Sequence, residues 1–268
     1  MTNYLYGANA QANGIRQHYL RYGGQGLPLI VIPGITSPAV TWGFVAERLG
    51  RHFDVYVLDV RGRGLSEASP TLDYSLDAQA ADVAALADVL GLARYAVLGH
   101  SMGGRIAIRM ACRLKPQGLE RLIIVDPPVS GPGRRPYPSG LPWYVDSIRQ
   151  SLEGMGAEDM RVFCPTWTEE QLRLRAEWLH TCDERAIVAS YNGFHEDNIH
   201  QDLPHINLPT LLIVAGRGNV LLPEDIEEIQ GLMPEVTVAR VENAGHMIPW
   251  DDEEGFYQAF GHFLGTPV

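Results

Sequence analysis

Short apolar runs recur along the chain at Leu29–Ile32, Val55–Leu58, Tyr95–Leu98, Leu122–Val125, Leu211–Val214 and Val236–Val241. They are rich in β-branched residues and little interrupted by polar ones. Such runs fit strands covered on both faces, as in a parallel sheet. Between them the period becomes helical. Leu76, Val83, Leu86 and Leu90 fall on one stripe of SLDAQAADVAALADVL, and Ile106, Met110 and Leu114 repeat the pattern after Ser101. Pro223 is placed to open a helix over PEDIEEIQGLM, because the first helical turn does not use the N–H that proline lacks. Phe256, Phe260 and Phe263 mark a last amphipathic helix. This alternation predicts an α/β fold with a mostly parallel central sheet and helices on both faces.

The alternation breaks between about Pro127 and His205, a segment that starts with the Pro/Gly-rich stretch PPVSGPGRRPYPSGLP. Beyond it the pattern is helical, with Thr168 and Gln171 spaced as a capping box. The expected organisation is a core of residues 1–127 and 205–268, interrupted by a mainly helical cap at 128–204. Gly131 and Gly133 stand where that cap could hinge or simply turn.

Composition narrows the partners. A net charge of −11 disfavours nucleic acid, which wants a basic face. No apolar run approaches the about 18 residues of a membrane span, and the first residues lack a signal-peptide pattern. A soluble cytoplasmic protein is expected, with no membrane partner and its oligomeric state left open. Cys112, Cys164 and Cys182 show neither metal spacing nor a disulfide framework.

The chemistry centres on GHSMG, residues 99–103. The motif is common, but here it lies between a strand and a helix, the setting in which a sharp turn lifts the serine hydroxyl above a sheet. Ser101 is the expected nucleophile. Of the nine histidines, His246 in NAGHMIPWDD follows the last strand and is the expected general base. The turn in VIPGITSP can present the N–H of Ile35, which with the N–H of Met102 would bind an oxyanion. Thr36 and Ser37 could add donors or cap the next helix.

These segments, PGITSPAVTW, DVRGRGLSE, GHSMGG, LIIVDPP and AGHMIPWDD, resemble the α/β-hydrolases over essentially the whole chain. Pro33 departs from the histidine common before that glycine, a change behind the turn that leaves its backbone donors in place. In this family the triad acid usually follows the strand ending here at Ala215, in a Gly-x-x-Asp pattern. This chain has Gly216-Arg217-Gly218-Asn219. An amide cannot stabilise an imidazolium as a carboxylate does. Asp126 ends the preceding strand, and neighbouring strands lie about 5 Å apart. It is therefore the expected acid, against the alternative that it only ties down a loop. Glu224 and Asp225 rank below it.

A closer likeness, through ANGIRQHYLRYGG, VDPPVSGPGRR, LPWYVDSIRQ and RAEWLHTC, is to deformylating amide hydrolases of this family. It implies a small carboxylated substrate, a formyl-enzyme, no metal, no organic cofactor and an acid displaced to Asp126. Candidates for holding the substrate are Trp42, Arg134, Arg135, Tyr144, Arg175, His180, Tyr191 and His195. Trp143, Trp167 and Trp178 could wall the pocket with Trp42. Asp59, Arg61 and Arg63 look like loop anchors. An enol-lactonase, a carboxylesterase and a hydrolase-like ligand receptor remain alternatives. A dehalogenase, which needs aspartate at position 101, and a cofactor-free oxygenase are disfavoured.

Overall fold

The computed structural model describes residues 2–268. Its strands are Tyr4–Ala12 (β1), Ile15–Tyr22 (β2), Pro28–Ile32 (β3), Asp54–Leu58 (β4), Tyr95–His100 (β5), Leu119–Val125 (β6), Thr210–Ala215 (β7) and Thr237–Val241 (β8). They form one sheet in the order β1-β2-β4-β3-β5-β6-β7-β8. Strands β3 to β8 are the six apolar runs of the sequence, and all pair in parallel. Five of the six are largely buried, as continuous apolar runs require. β8, at the sheet edge, is half-exposed and correspondingly mixed in composition.

The first two strands were not anticipated. They form a hairpin through Asn13 and Gly14, whose φ values of 52° and 76° give the double left-handed turn that matches strand twist. β1 is mostly solvent-exposed, so it carries little apolar signal. β2 pairs antiparallel with β4 and joins the hairpin to the sheet.

The helices are Gly43–Leu49 (α1), Leu76–Val89 (α2), Met102–Arg109 (α3), Leu141–Leu152 (α4), Ala157–Arg161 (α5), Glu169–Trp178 (α6), Glu184–Glu196 (α7), Pro223–Leu232 (α8), Ile248–Asp251 (α9) and Glu253–Phe260 (α10). α2 starts where Ser75 Oγ accepts from the Ala78 amide at 3.2 Å, and it buries Leu76, Ala80, Val83 and Leu86. α3 ends in a wide turn in which the Lys115 amide reaches back to Met110 O. That turn rotates Leu114 into solvent, so it does not continue the buried stripe expected of it. Helices α4 to α7 all lie between β6 and β7, in a stretch without strands. α6 begins with the expected capping box: Gln171 N donates to Thr168 Oγ1 at 3.3 Å, and Thr168 N to Gln171 Oε1 at 3.0 Å.

Among the described residues no helix is long and apolar enough to cross a membrane, and no cluster of three or more His, Cys, Asp or Glu side chains could hold a metal ion. All three cysteines are free and buried.

Candidate active site

β5 runs into α3 through Ser101, whose backbone sits at φ 55°, ψ −119°. That region costs an L-residue roughly 1–3 kcal/mol and persists only where the surroundings enforce it. Here Ser101 N donates to Val125 O at 2.8 Å, and Ser101 O accepts from Gly104 N at 2.9 Å. The flanking glycines are steric necessities. A Cβ on Gly99 would lie 2.2 Å from Gly103 O, and one on Gly103 would lie 2.0 Å from Ile32 O. The elbow therefore forms because strand, helix and β3 approach more closely than any side chain permits.

His246 follows β8 and brings Nε2 to 2.9 Å from Ser101 Oγ. Its Nδ1 lies 2.7 Å from Asp126 Oδ2. A carboxylate only accepts, so Nδ1 carries the proton and Nε2 is left to accept from the serine hydroxyl. Asp126 follows β6, is 1% exposed and, like Ser101, has a positive φ, 44°. Its amide donates to Ile213 O at 2.9 Å, which ties it to β7. Asn219, by contrast, is exposed, and its side chain makes no hydrogen bond among the described residues. Its carbonyl accepts from Arg135 Nη1 at 3.1 Å. The space beside the imidazole is filled from the end of β6, not from the loop after β7.

His100 lies beneath this pair, 1% exposed. Its Nε2–H donates to His246 O at 2.9 Å, while Nδ1 is buried without a partner among the described residues. Burial, helped by the neighbouring His246, lowers its pKa to about 3. Below pH 6.5 the unfolded chain takes up a proton that the folded site refuses. The contribution of His100 to stability is therefore complete above pH 6.5 and is lost as pH falls toward 3. Each such proton is worth about 1.4 kcal/mol per pH unit. Replacing His100→Gln, which keeps a donor for His246 O, is expected to flatten the loss of unfolding free energy between pH 6 and 4 by about that slope. Denaturant titrations at each pH measure it; an unchanged slope would mean that His100 is not held neutral. His200, also lowered by burial to about 4, leaves a parallel slope in both proteins.

The N–H groups of Ile35 and Met102 donate to no other group among the described residues, so both are free to bind an oxyanion. The loop carrying Ile35 is held from below. Arg63, 1% exposed, donates from Nε to Ile35 O at 3.0 Å and from Nη1 to Arg61 O at 2.8 Å. Asp59 accepts from Ala39 N at 2.6 Å and from His18 Nδ1 at 2.7 Å. Arg61 clasps Asp82 through two hydrogen bonds of 2.5 Å. These three residues are loop anchors, as expected.

Ser101 and His246 open into a cavity of about 290 Å³. Of the expected binding residues, Tyr144 and Arg175 reach its wall, as do Thr36, Ser37, Trp143 and Trp167. The others do not. Trp42 is wholly buried behind it, its ring against His100 and Trp250. Arg134 is spent on Glu228 and Arg135 on Asp225. His180 is exposed, and Trp178 lines a separate depression by β1 and β2. Tyr191 and His195 stand one layer back. Tyr191 Oη donates to Ser139 O at 3.0 Å, and His195 Nε2 accepts from the Tyr137 amide at 3.3 Å.

Arg175 is the one arginine or lysine that lines this cavity among the described residues. It is 3% exposed and forms no ion pair among the described residues. Nη1 and Nη2 donate to Thr36 O at 2.9 Å and Thr36 Oγ1 at 3.0 Å, and Nε has no partner. Asp251 also lines the cavity, but its carboxylate is engaged by Gly245 N at 3.0 Å and Thr166 Oγ1 at 2.9 Å. Sequence reasoning missed Tyr137, whose hydroxyl lies 3.5 Å from His246 Nε2. Its only signal was an aromatic residue between two prolines at the entry to the insertion.

Comparison with known proteins follows the same lines. Residues 28–253 match the model of the alpha/beta hydrolase fold. N-formylmaleamate deformylase of Pseudomonas putida is 65% identical over 268 residues, covering 100% of both chains. The crystal structure of a variant N-formylmaleamic acid deformylase from Pseudomonas putida superposes with a TM-score of 0.91 at 59% identity, covering 95% of this chain and 99% of that one. An enol-lactonase from Burkholderia xenovorans shares the fold, with a TM-score of 0.77 at 21% identity over 97% of this chain and 100% of that one. This chain belongs to the α/β-hydrolase fold family.

Proposed function

We propose that this chain hydrolyses N-formylmaleamate to maleamate and formate, a step of nicotinate degradation, with Ser101, His246 and Asp126 as its triad. The observation that carries the reading is a nucleophile–base–acid relay opening into a small cavity that also holds a buried guanidinium with no acid of its own. The full-length likeness to the Pseudomonas putida deformylase supports the choice of substrate. Residues 128–204 act as a cap that closes this cavity over the core of 1–127 and 205–268.

Ser101 Oγ attacks the formyl carbon as His246 Nε2 takes its proton. The oxyanion rests on the N–H groups of Ile35 and Met102. As the tetrahedral adduct collapses, the C–N bond breaks and His246 returns the proton to the leaving nitrogen, giving maleamate. Water, deprotonated by His246, then attacks the formyl-enzyme and releases formate. The leaving nitrogen sits between two carbonyls, so it departs more easily than that of a simple amide.

Arg175 holds the carboxylate at the far end of the substrate. An unpaired buried cation is costly, and an incoming carboxylate repays that cost. Arg175→Met is expected to lower kcat/KM for N-formylmaleamate about 100-fold, chiefly through KM, in line with about 1.5–3 kcal/mol for a charge-assisted hydrogen bond. A methyl ester of the same substrate is expected to lose far less. Equal losses on both would assign Arg175 to holding the Thr36 loop alone.

The direct test is formate release from N-formylmaleamate by the purified protein, beside a panel of enol-lactones and simple esters. Rapid formate release upholds the proposal. Turnover of lactones or esters without formate release would keep the hydrolase and sink the deformylase.

A further inference from the structure

Apart from Ser101 Oγ, the one side-chain polar atom beside His246 Nε2 at hydrogen-bonding range, among the described residues, is the Tyr137 hydroxyl at 3.5 Å. The tyrosine enters from the insertion, is 6% exposed and lines the cavity. Its position is built. Its amide donates to His195 Nε2, and its ring packs against Phe194 at 5.1 Å between centroids. Tyr144 Oη donates to Tyr137 Oη at 3.2 Å. That bond occupies an acceptor position on Tyr137 and leaves its own hydrogen free. Burial pushes the phenol well above its usual pKa of 10, so that hydrogen stays on the oxygen.

His246 Nε2 is not a lasting partner for this hydrogen. In the resting site it accepts from Ser101, and once protonated it cannot accept at all. Ser101 Oγ, which also neighbours the phenol, is taken up in the bond to the formyl carbon as the reaction proceeds, so a substrate group is then the available acceptor, and the relay fixes which one. The leaving nitrogen must come within hydrogen-bonding range of His246 Nε2 to take its proton. Whatever is bonded to that nitrogen lies next to the Tyr137 hydroxyl. In the substrate proposed above, the group is the second carbonyl of the imide, which stays with the maleamate product.

On the reading that this chain deformylates N-formylmaleamate, we propose that Tyr137 is a catalytic residue that selects an acylated leaving nitrogen by donating a hydrogen bond to its carbonyl. As the formyl C–N bond breaks, its electron pair moves onto nitrogen and delocalises into that carbonyl oxygen. The phenol stabilises the charge there without giving up its proton, while the nitrogen receives its hydrogen from His246. Tyr137 thus serves the leaving side of the adduct, as the N–H groups of Ile35 and Met102 serve the formyl oxygen. A formate ester of a simple alcohol has no such carbonyl and gains nothing from the phenol.

The experiment compares formate release from N-formylmaleamate and from benzyl formate by the intact protein, Tyr137→Phe and Tyr144→Phe. Tyr137→Phe is expected to lose about 100-fold in kcat on the imide, the scale of one transition-state donor, and far less on the ester. Tyr144→Phe, which leaves the Tyr137 hydroxyl in place but unbacked, is expected to show the same selectivity with a smaller loss. Equal losses on both substrates would make Tyr137 a general support of the serine–histidine pair and overturn the proposal, as would full imide turnover by Tyr137→Phe. If the intact protein releases formate only from the ester, the deformylase reading itself has failed, an outcome separable from the other two.

Discussion

Replacing Ser101 with alanine is expected to lower kcat for formate release by about 10⁵–10⁶-fold while leaving the protein folded and able to bind substrate. The substitution removes a single oxygen, the one that hydrogen-bonds His246 Nε2 at 2.9 Å. It keeps the Cβ, so the backbone strain at φ 55° is the same in both proteins. No neighbour is equipped to take over. Ser37 and Ser139 line the cavity, but His246 bonds neither of them. Cys164 also lines it, yet burial raises its pKa and keeps it a thiol, the weaker nucleophile. What remains is the catalysis an oxyanion site and binding supply without a nucleophile, about 10³–10⁴ over water. Formate release and calorimetric binding, measured side by side, separate the two effects. Activity retained above about 1% would place the nucleophile elsewhere. Formate release by the intact protein also decides between an enzyme and a ligand receptor, since the alanine variant would bind in either case.

How much of this was legible before the structure depended on the range of the interactions involved. Apolar runs gave β3 to β8 because a strand buried on both faces has little choice of residue. The hairpin of β1 and β2 was legible and overlooked. Asn13-Gly14 is a strong local turn signal, but β1 is solvated and offers no apolar run to frame it. Leu114 failed because helical periodicity does not register a widened final turn. Ser101 and His246 could be picked out because their neighbours in sequence are also their neighbours in space: glycines at the elbow and a loop after the last strand. The cavity wall could not. Arg134 meets Glu228 and Arg135 meets Asp225, partners about ninety residues away, and nothing local distinguishes these pairs from Arg175, which has no acid. A short polar side chain on a strand end has its position set by the sheet. A long one on a cap helix is placed only by what it packs against.

The position of the acid gives the second large effect. Asp126→Asn is expected to lower kcat about 10⁴-fold, the scale of the corresponding change in a serine protease. An asparagine at 126 could turn its NH₂ toward His246 Nδ1, moving the ring proton to Nε2, where it can no longer accept from Ser101. It would also withdraw the charge that stabilises the imidazolium. The revealing companion is Asn219→Asp, which restores the acid at the position common in the family. Alone, it is expected to change kcat by less than about threefold, as an exposed substitution outside the relay. Combined with Asp126→Asn, it is expected to rescue little. The carbonyls of Asn219 and Val220 are both held by Arg135 at 3.1 Å, and Asp225 accepts from the same guanidinium at 2.6 Å. A carboxylate at 219 therefore has solvent and Arg135 for company rather than His246. Turnover of N-formylmaleamate by the two single variants and the double variant measures this directly. Recovery to within tenfold of the intact protein in the double variant would show that the β7 loop can deliver an acid after all. The move to β6 would then rest on the identity of two side chains. Failure to recover would mean that it is fixed by the backbone path of the loop and the arginine that holds it.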